Sequence, residues 1–399
     1  MARILLGWEL GNGIGYARRL AAIADRLMEA GHEPVLALRE PKALPDPTHP
    51  VLQAPLVVGR LRPGTRGFVP AGFTDLIAVN GFGSHDHLLE LVAGWQAVLD
   101  EARPDLVIAE YAPVLVMAAW RRIATVLIGT PYLVPPAEGP WFPERPGIRP
   151  YANQRALLEV MRRAQAARGG PLPDRLTQPF SEAVRVVYGV PELDPWTRER
   201  RERLNGLWEP VAPAGPPAST RLFAYLTPKA PAFPAAAEGL ARAGVPGEAF
   251  IPGCPDRLAA VLGAGGVELL REPPALAEAV GRASLVFHHG GMDTAQTALA
   301  LGRPQLILPR YLDQRLTGDA LAALGVGILH MRASATAETV AQALRRLAGD
   351  ATMAARASLR ATLIRRRGIG DALGSSVAAA RHALSDVRPL TANVPISGG

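Results

Sequence analysis

Cysteine is nearly absent: the 399 residues contain one, Cys254. That excludes an intramolecular disulfide framework and any metal centre built from several thiolates. Lysine is almost as scarce. Only Lys42 and Lys229 occur among 43 basic residues, so the formal charge of +7 reflects an arginine bias along the whole chain, not a designed basic patch. Aromatic residues make up 6%, and no aromatic–basic stacking module stands out, which argues against a nucleic-acid partner. No run approaches the ~20 apolar residues of a membrane span. The opening run Ile4-Leu5-Leu6, soon followed by Glu9, is too short for a signal-peptide core. A cytoplasmic protein without a transmembrane segment is expected, peripheral membrane contact staying open.

What is present is globular. With 48% hydrophobic and 20% charged residues, a disordered chain is excluded, and the length suggests two or three domains. Ile4-Leu5-Leu6 leads into the turn Gly11-Asn12-Gly13-Ile14-Gly15. Leu20, Ile23, Ala24 and Leu27 then recur at helical spacing up to Gly31, and 34–38 reads as a second strand. Strand, helix and strand with short connections make a βαβ unit and a parallel sheet. Further strands are expected at 105–109, 125–129, 222–226, 285–287 and 305–308, with an amphipathic stretch over 88–99 and a helix over 235–243. The two halves meet at a proline-rich stretch, 210–217, and the tail 388–399 has no periodicity and reads as mobile or draped on the surface.

The chemistry-bearing segment is His288-His289-Gly290-Gly291-Met292-Asp293-Thr294, directly after a buried strand. Two glycines turn the backbone tightly and a helix is expected to start at Thr294. Amides at such a start suit a phosphate, with a neighbouring histidine donating to its oxygens. The same pattern also serves as an ordinary structural turn. His85-Asp86-His87 has the look of a metal pair on a strand, of a loop near the acceptor, or of an ordinary surface loop; no third ligand follows by pattern, so no metal is expected. Trp8, Trp95, Trp141 and Trp196 read as an acceptor platform or as packing residues.

From His288 to Gln314 the chain resembles the donor-binding segment of GT-B glycosyltransferases, the group of antibiotic and UDP-glucuronosyl-type transferases. Their pattern H-H-G-G-x-G-T-x-x-E-A-L-x-x-G-x-P-Q, ending in P-x-x-x-D-Q, is met here without a gap. It falls on His288 to Gly291, Thr294, Ala298-Leu299, Gly302, Pro304-Gln305, Pro309 and Asp313-Gln314. Gly15-Tyr16 and Gly31-His32 match the spacing of the family's paired G-H motifs.

The resemblance implies an α/β protein of GT-B architecture, two Rossmann-like doubly wound domains facing a central cleft. Residues 1–209 would be the acceptor-side domain, 210–220 the linker and 221–370 the nucleotide-sugar domain. Residues 371–399 would add a helix that packs back on the N-terminal domain, and a tail. It also implies an inverting, metal-independent hexosyl transfer from a nucleoside diphosphate sugar to an acceptor the sequence does not name, with no further cofactor. By position, His289 and the amides around Gly290, Gly291 and Thr294 would hold the diphosphate. Asp313 and Gln314 would take the sugar hydroxyls, and Arg271 would lie by the nucleobase. Gly13 and Gly15 join the donor-binding set.

Three positions depart from the pattern. Tyr16 stands where relatives carry the catalytic histidine, and a phenol of pKa near 10 is a poor base at neutral pH. Glu110 holds the place of the acid that orients that histidine, so a Tyr16–Glu110 hydrogen bond is expected. The base then falls to Glu9, ranked first, or to Glu110, His85 or His87, unless the acceptor is acidic enough to need none. Thr297 replaces the ribose-binding glutamate, which favours a deoxyribose donor such as a dTDP-sugar over UDP, unless the adjacent Gln296 substitutes. Asp293 replaces a glycine and reads as the helix N-cap, its charge pointed away from the diphosphate or offset by Arg303 or Arg310. On the acceptor side, Trp8, His85 and His87 are the candidates. A silent nucleotide-sugar-binding auxiliary protein is the alternative, with a sugar-nucleotide epimerase behind it.

Overall fold

The computed structural model describes residues 1–386 except 12, 45, 66, 216 and 218. The tail expected over 388–399 lies outside them. The chain divides into two compact units: 1–187 with 199–203 and the C-terminal helix, and 188–198 with 204–371. The boundary expected at 209 therefore falls earlier. The stretch 188–198 joins the second unit, and so does the proline-rich segment, in place of a free linker.

In the first unit the strands are β1 (Arg3–Trp8), β2 (Glu33–Leu38), β3 (Val51–Gln53), β4 (Leu106–Glu110), β5 (Ala124–Gly129) and β6 (Val184–Val187). They form one sheet in the order β3-β2-β1-β4-β5-β6, each pairing parallel. The helices between them are α1 (Ile14–Glu29), α2 (Phe73–Ile77), α3 (His85–Ala102), α4 (Pro113–Ala119), α5 (Gln154–Ala167) and α6 (Gln178–Ser181). Residues Leu106 to Glu110 are all buried, the uninterrupted burial of a parallel strand covered on both faces. α1 turns Ala17, Leu20, Ile23, Ala24 and Leu27 inward at the spacing of one helical face.

The second unit carries β7 (Leu222–Tyr225), β8 (Gly247–Phe250), β9 (Val267–Leu270), β10 (Leu285–His288), β11 (Gln305–Ile307) and β12 (Gly327–Leu329). Their order is β12-β11-β10-β7-β8-β9, again parallel. The helices are α7 (Phe233–Arg242), α8 (Asp256–Ala264), α9 (Leu276–Arg282), α10 (Met292–Ala300), α11 (Leu312–Ala323), α12 (Ala337–Gly349) and α13 (Ala351–Arg367). Side chains alternate between two cores on opposite faces of this sheet: Leu285 and Phe287 enter one, Val286 the other. The last helix, α14 (Ala372–Asp386), belongs to the first unit and packs on α1, β4, β5 and β6.

Each sheet reverses its strand order once, between β1 and β4 in the first unit and between β7 and β10 in the second. Ligands of open α/β sheets bind beyond the carboxyl ends of the strands at such reversals. The segments singled out in the sequence fall at both.

Candidate functional site

In the second unit, β10 ends at His288 and α10 begins at Met292, two residues earlier than the expected Thr294. Gly290 has φ +91°, and a Cβ there would stand 2.5 Å from the Gln314 carbonyl oxygen. Only glycine lets the two backbones approach so closely. This contact brings the start of α11, with Asp313 and Gln314, against the glycine turn. Gly291 is the N-cap of α10, with no side-chain cap, and a Cβ there meets nothing within 4 Å. Asp293 is therefore not the N-cap; it sits in the first turn of α10, where a carboxylate favours the helix dipole.

The two histidines are fastened in different ways. His288 is buried: its Nε2 lies 2.9 Å from Gln305 Oε1, its Nδ1 accepts the Gly290 N–H at 3.0 Å, and Gln305 donates onward to the Ala295 carbonyl. His289 Nδ1 lies 2.8 Å from the Leu308 carbonyl, while its Nε2 accepts the Thr227 N–H at 3.1 Å. The Leu308 N–H returns to the His288 carbonyl at 2.9 Å. Burial pushes both imidazoles down to about 4, so both are neutral at pH 7. For His289 this corrects the expectation of a donor to phosphate: in this geometry both ring nitrogens bond to backbone, and the side chain ties the ends of β7, β10 and β11 together.

Gln314 Oε1 accepts the Arg310 N–H at 2.8 Å, and burial raises the Asp313 carboxyl above its ordinary value. Thr297 and Gln296 are buried on α10, whereas Arg271 is exposed between β9 and α9. Arg303 does not offset Asp293. It is buried and donates to the carbonyls of Gly215, Val280 and Gly281, holding the proline-rich segment to the unit, while Arg310 lies over the Tyr311 ring.

The reversal in the first unit is filled by its own side chains. Glu9 follows β1 and is fully buried. Its Oε1 accepts the Val114 N–H at 2.9 Å, and its Oε2 accepts the Leu115 N–H at 3.2 Å and the Trp95 indole N–H at 2.5 Å. Because Ala112, the N-cap of α4, has no side-chain oxygen, Glu9 supplies the missing acceptor from the loop after β1. Burial pushes its carboxyl up to about 7, against the pull of Val114, Trp95, Leu115 and Arg39. A helix start of the kind that binds phosphate is thus sealed by a carboxylate. This corrects the ranking of Glu9 as the base.

Replacing Glu9 by glutamine is expected to cost about 2–4 kcal/mol of stability, since the amide NH2 faces N–H donors and leaves buried groups without an acceptor. Urea unfolding measures the loss. A pH–rate profile missing its basic limb, with stability unchanged, would instead make Glu9 a base.

Glu110, at the end of β4, is buried and accepts from Arg19 Nε at 2.6 Å, and the Arg19 guanidinium lies 5.1 Å from the Tyr16 ring centroid. Tyr16 stacks on the buried Trp8 with ring centroids 5.3 Å apart. Trp8, Trp95 and Trp196 are core residues, not an exposed platform, and the Trp8 indole donates to the Leu10 carbonyl. Arg19 went unnoticed in the sequence; its one signal is an arginine on the apolar face of α1, one turn after Tyr16. Gly13 is the N-cap of α1, and a Cβ on Gly15 would touch Arg19.

His85 and His87 open α3, so they do not share a face as strand residues would. His85 pairs with Asp86, and His87 is buried, its imidazole held below its ordinary value by burial and then by Arg60. Among the described residues no cluster of three or more His, Cys, Asp or Glu could hold a metal, and no helix is long and apolar enough to cross a membrane.

Two doubly wound parallel sheets, with a glycine turn and helix start at the second reversal, define an α/β protein of the GT-B fold. Residues 275–365 match the family described as erythromycin biosynthesis protein CIII-like, C-terminal domain. The chain is 39% identical over 64 residues to the vancomycin aglycone glucosyltransferase of Amycolatopsis orientalis; the aligned stretch is 16% of each chain. It is 27% identical over 79 residues to an NDP-glycosyltransferase of Bacillus subtilis (strain 168), 20% of each chain. Solved structures match over nearly the whole length. The calicheamicin glycosyltransferase CalG4 aligns with a TM-score of 0.66 at 17% identity, covering 97% of this chain and 100% of that one. The glycosyltransferase VinC, solved with dTDP, aligns at 0.63 and 16% identity, covering 95% and 100%. The chain has the GT-B fold, and the family match lies within its second unit, over residues 275–365.

Proposed function

We propose that the protein is an antibiotic-type glycosyltransferase that moves a sugar, with inversion and without a metal, from a nucleoside diphosphate sugar to an acceptor hydroxyl. The observation that carries this reading is the contact at Gly290, which sets the start of α10 against the start of α11 at the second sheet's reversal. The amides at Gly291 and in the first turn of α10 would receive the diphosphate, whose leaving charge they stabilise as the anomeric C–O bond breaks. Asp313 and the amide nitrogen of Gln314 would take the sugar hydroxyls, and Arg271 the nucleobase side. The anomeric carbon gains a bond to the acceptor oxygen, the acceptor proton leaves, and the nucleoside diphosphate departs.

Thr297 offers the nucleotide sugar one short neutral group, which favours dTDP-sugars, in keeping with the dTDP complex of VinC. Thr297→Glu is expected to raise UDP affinity relative to dTDP by about tenfold, the scale of one hydrogen bond to a charged group; competition binding of the two nucleotides measures it.

A second reading is favoured by the first unit. Glu9 caps α4, Glu110 holds Arg19 and Tyr16 is stacked on Trp8, an arrangement that suits a nucleotide-sugar-binding auxiliary protein as well as an enzyme. Incubation with dTDP-sugars and a panel of aglycones separates the two. Release of dTDP dependent on the aglycone supports transfer; binding without release across the panel leaves the auxiliary role; conversion of donor without aglycone would point to an epimerase.

A further inference from the structure

Eleven large apolar side chains are exposed among the described residues, and four of them lie in the fourteen residues 56–69: Leu56 at 64%, Val58 at 65%, Leu61 at 45% and Val69 at 47%. They belong to the connection between β3 and α2. From 47 to 74 the sequence has no Asp or Glu, while Arg60, Arg62 and Arg66 fall inside the segment. Arg60 and Arg62 are exposed.

The segment is held in shape. Val57 is buried between Leu56 and Val58, and its carbonyl accepts from Arg39. The Arg60 N–H bonds the Val79 carbonyl at 2.7 Å, and the Arg62 N–H bonds the Tyr151 hydroxyl at 2.7 Å. Tyr151 also receives the Arg62 guanidinium 4.4 Å from its ring centroid and the Phe68 ring edge-on at 5.2 Å. Both limbs of the loop therefore close on one tyrosine, against which the loop's aromatic residue is packed.

We propose that residues 56–69 dock on the surface of an anionic phospholipid bilayer, the aliphatic side chains entering the headgroup–acyl boundary and the arginines meeting lipid phosphates. Charge complementarity decides the occupant: the segment offers cations with no carboxylate for a basic partner. A protein interface would be expected to present aromatic side chains. Here the exposed groups are aliphatic and Phe68 packs on Tyr151.

The full-length protein is sedimented with vesicles of phosphatidylcholine alone and with about 30 mol% phosphatidylserine. Partition onto the anionic vesicles only, weakened by salt, is expected. The double substitution Leu56→Glu and Val58→Glu should lower it at least about tenfold while leaving thermal unfolding unchanged, because both side chains are exposed. The substitutions Arg356→Gln and Arg360→Gln, on the Arg-rich α13 that also exposes Leu359 and Leu363, should leave it intact. No partition, or partition lost only with the α13 changes, overturns the proposal. Concentration-dependent dimerisation in light scattering, abolished by Val58→Glu, would also overturn it and assign the surface to a second copy.

Discussion

On lowering the pH from 7 to 5, the protein is expected to lose about 4 kcal/mol of stability through His288 and His289 alone. Their folded pKa values of about 4 lie below the ordinary 6.5. Between those values the unfolded chain binds protons that the folded chain refuses, so stability falls as pH falls, by about 2 kcal/mol per imidazole at pH 5. The contribution is fully present above pH 6.5 and gone below about 4. Both rings must stay neutral because each uses one nitrogen as an acceptor, His288 from Gly290 and His289 from Thr227. Against the 5–15 kcal/mol typical of a domain this is a large fraction. Other groups titrate in the same window, so the test is a difference. The gap in urea stability between wild type and His289→Asn should shrink by about 2 kcal/mol from pH 7 to 5. A gap independent of pH would mean that His289 is charged or unbonded in the folded protein.

Gly290→Ala is expected to lower stability by about 3–5 kcal/mol, roughly 10 °C in melting temperature for a unit of this size, and to abolish nucleotide binding. Two penalties add. The residue stands at φ +91°, where a side chain is strained, and the new Cβ would meet the Gln314 carbonyl at 2.5 Å, a backbone atom that cannot swing aside. Relief requires moving the start of α11 away from the turn, which displaces Asp313 and Gln314 as well. Gly291→Ala is the control: φ is −60° and open space surrounds its Cβ, so melting should stay within about 0.5 kcal/mol of wild type while nucleotide binding weakens. Equal stability losses in the two variants would show that the Gly290 contact is not what orders the site.

The run from His288 to Gln314 is legible because its residue types and spacing match the family pattern without a gap, and the contact that shapes it, Gly290 against Gln314, falls within one strand-and-helix repeat. The strongly apolar strands β1, β4, β5, β7 and β10 were readable for a related reason: central strands of a parallel sheet are buried on both faces and need no partner to be recognised. The edge strands β3, β9 and β12 are three or four residues long and partly exposed, so they leave no period to detect. Glu9 illustrates what local reasoning misses. Its three donors lie 86, 105 and 106 residues away, and only the folded sheet brings them to it. Arg303 is the same case, an arginine expected to offset Asp293 but satisfied by the carbonyls of 215, 280 and 281. His85 and His87 show the limit of period: residues two apart share a face on a strand but lie on opposite sides of a helix, and here they open α3.

The central claim is that the second unit binds a nucleoside diphosphate at its glycine turn. Thermal unfolding of the purified protein with UDP, dTDP, GDP or ADP at equal excess tests it directly. A ligand at 100 times its dissociation constant stabilises by about 2.7 kcal/mol, a visible shift in melting. A saturable shift, largest with dTDP and absent in Gly290→Ala, is the expected result, whereas no shift with any of the four nucleotides would contradict the account.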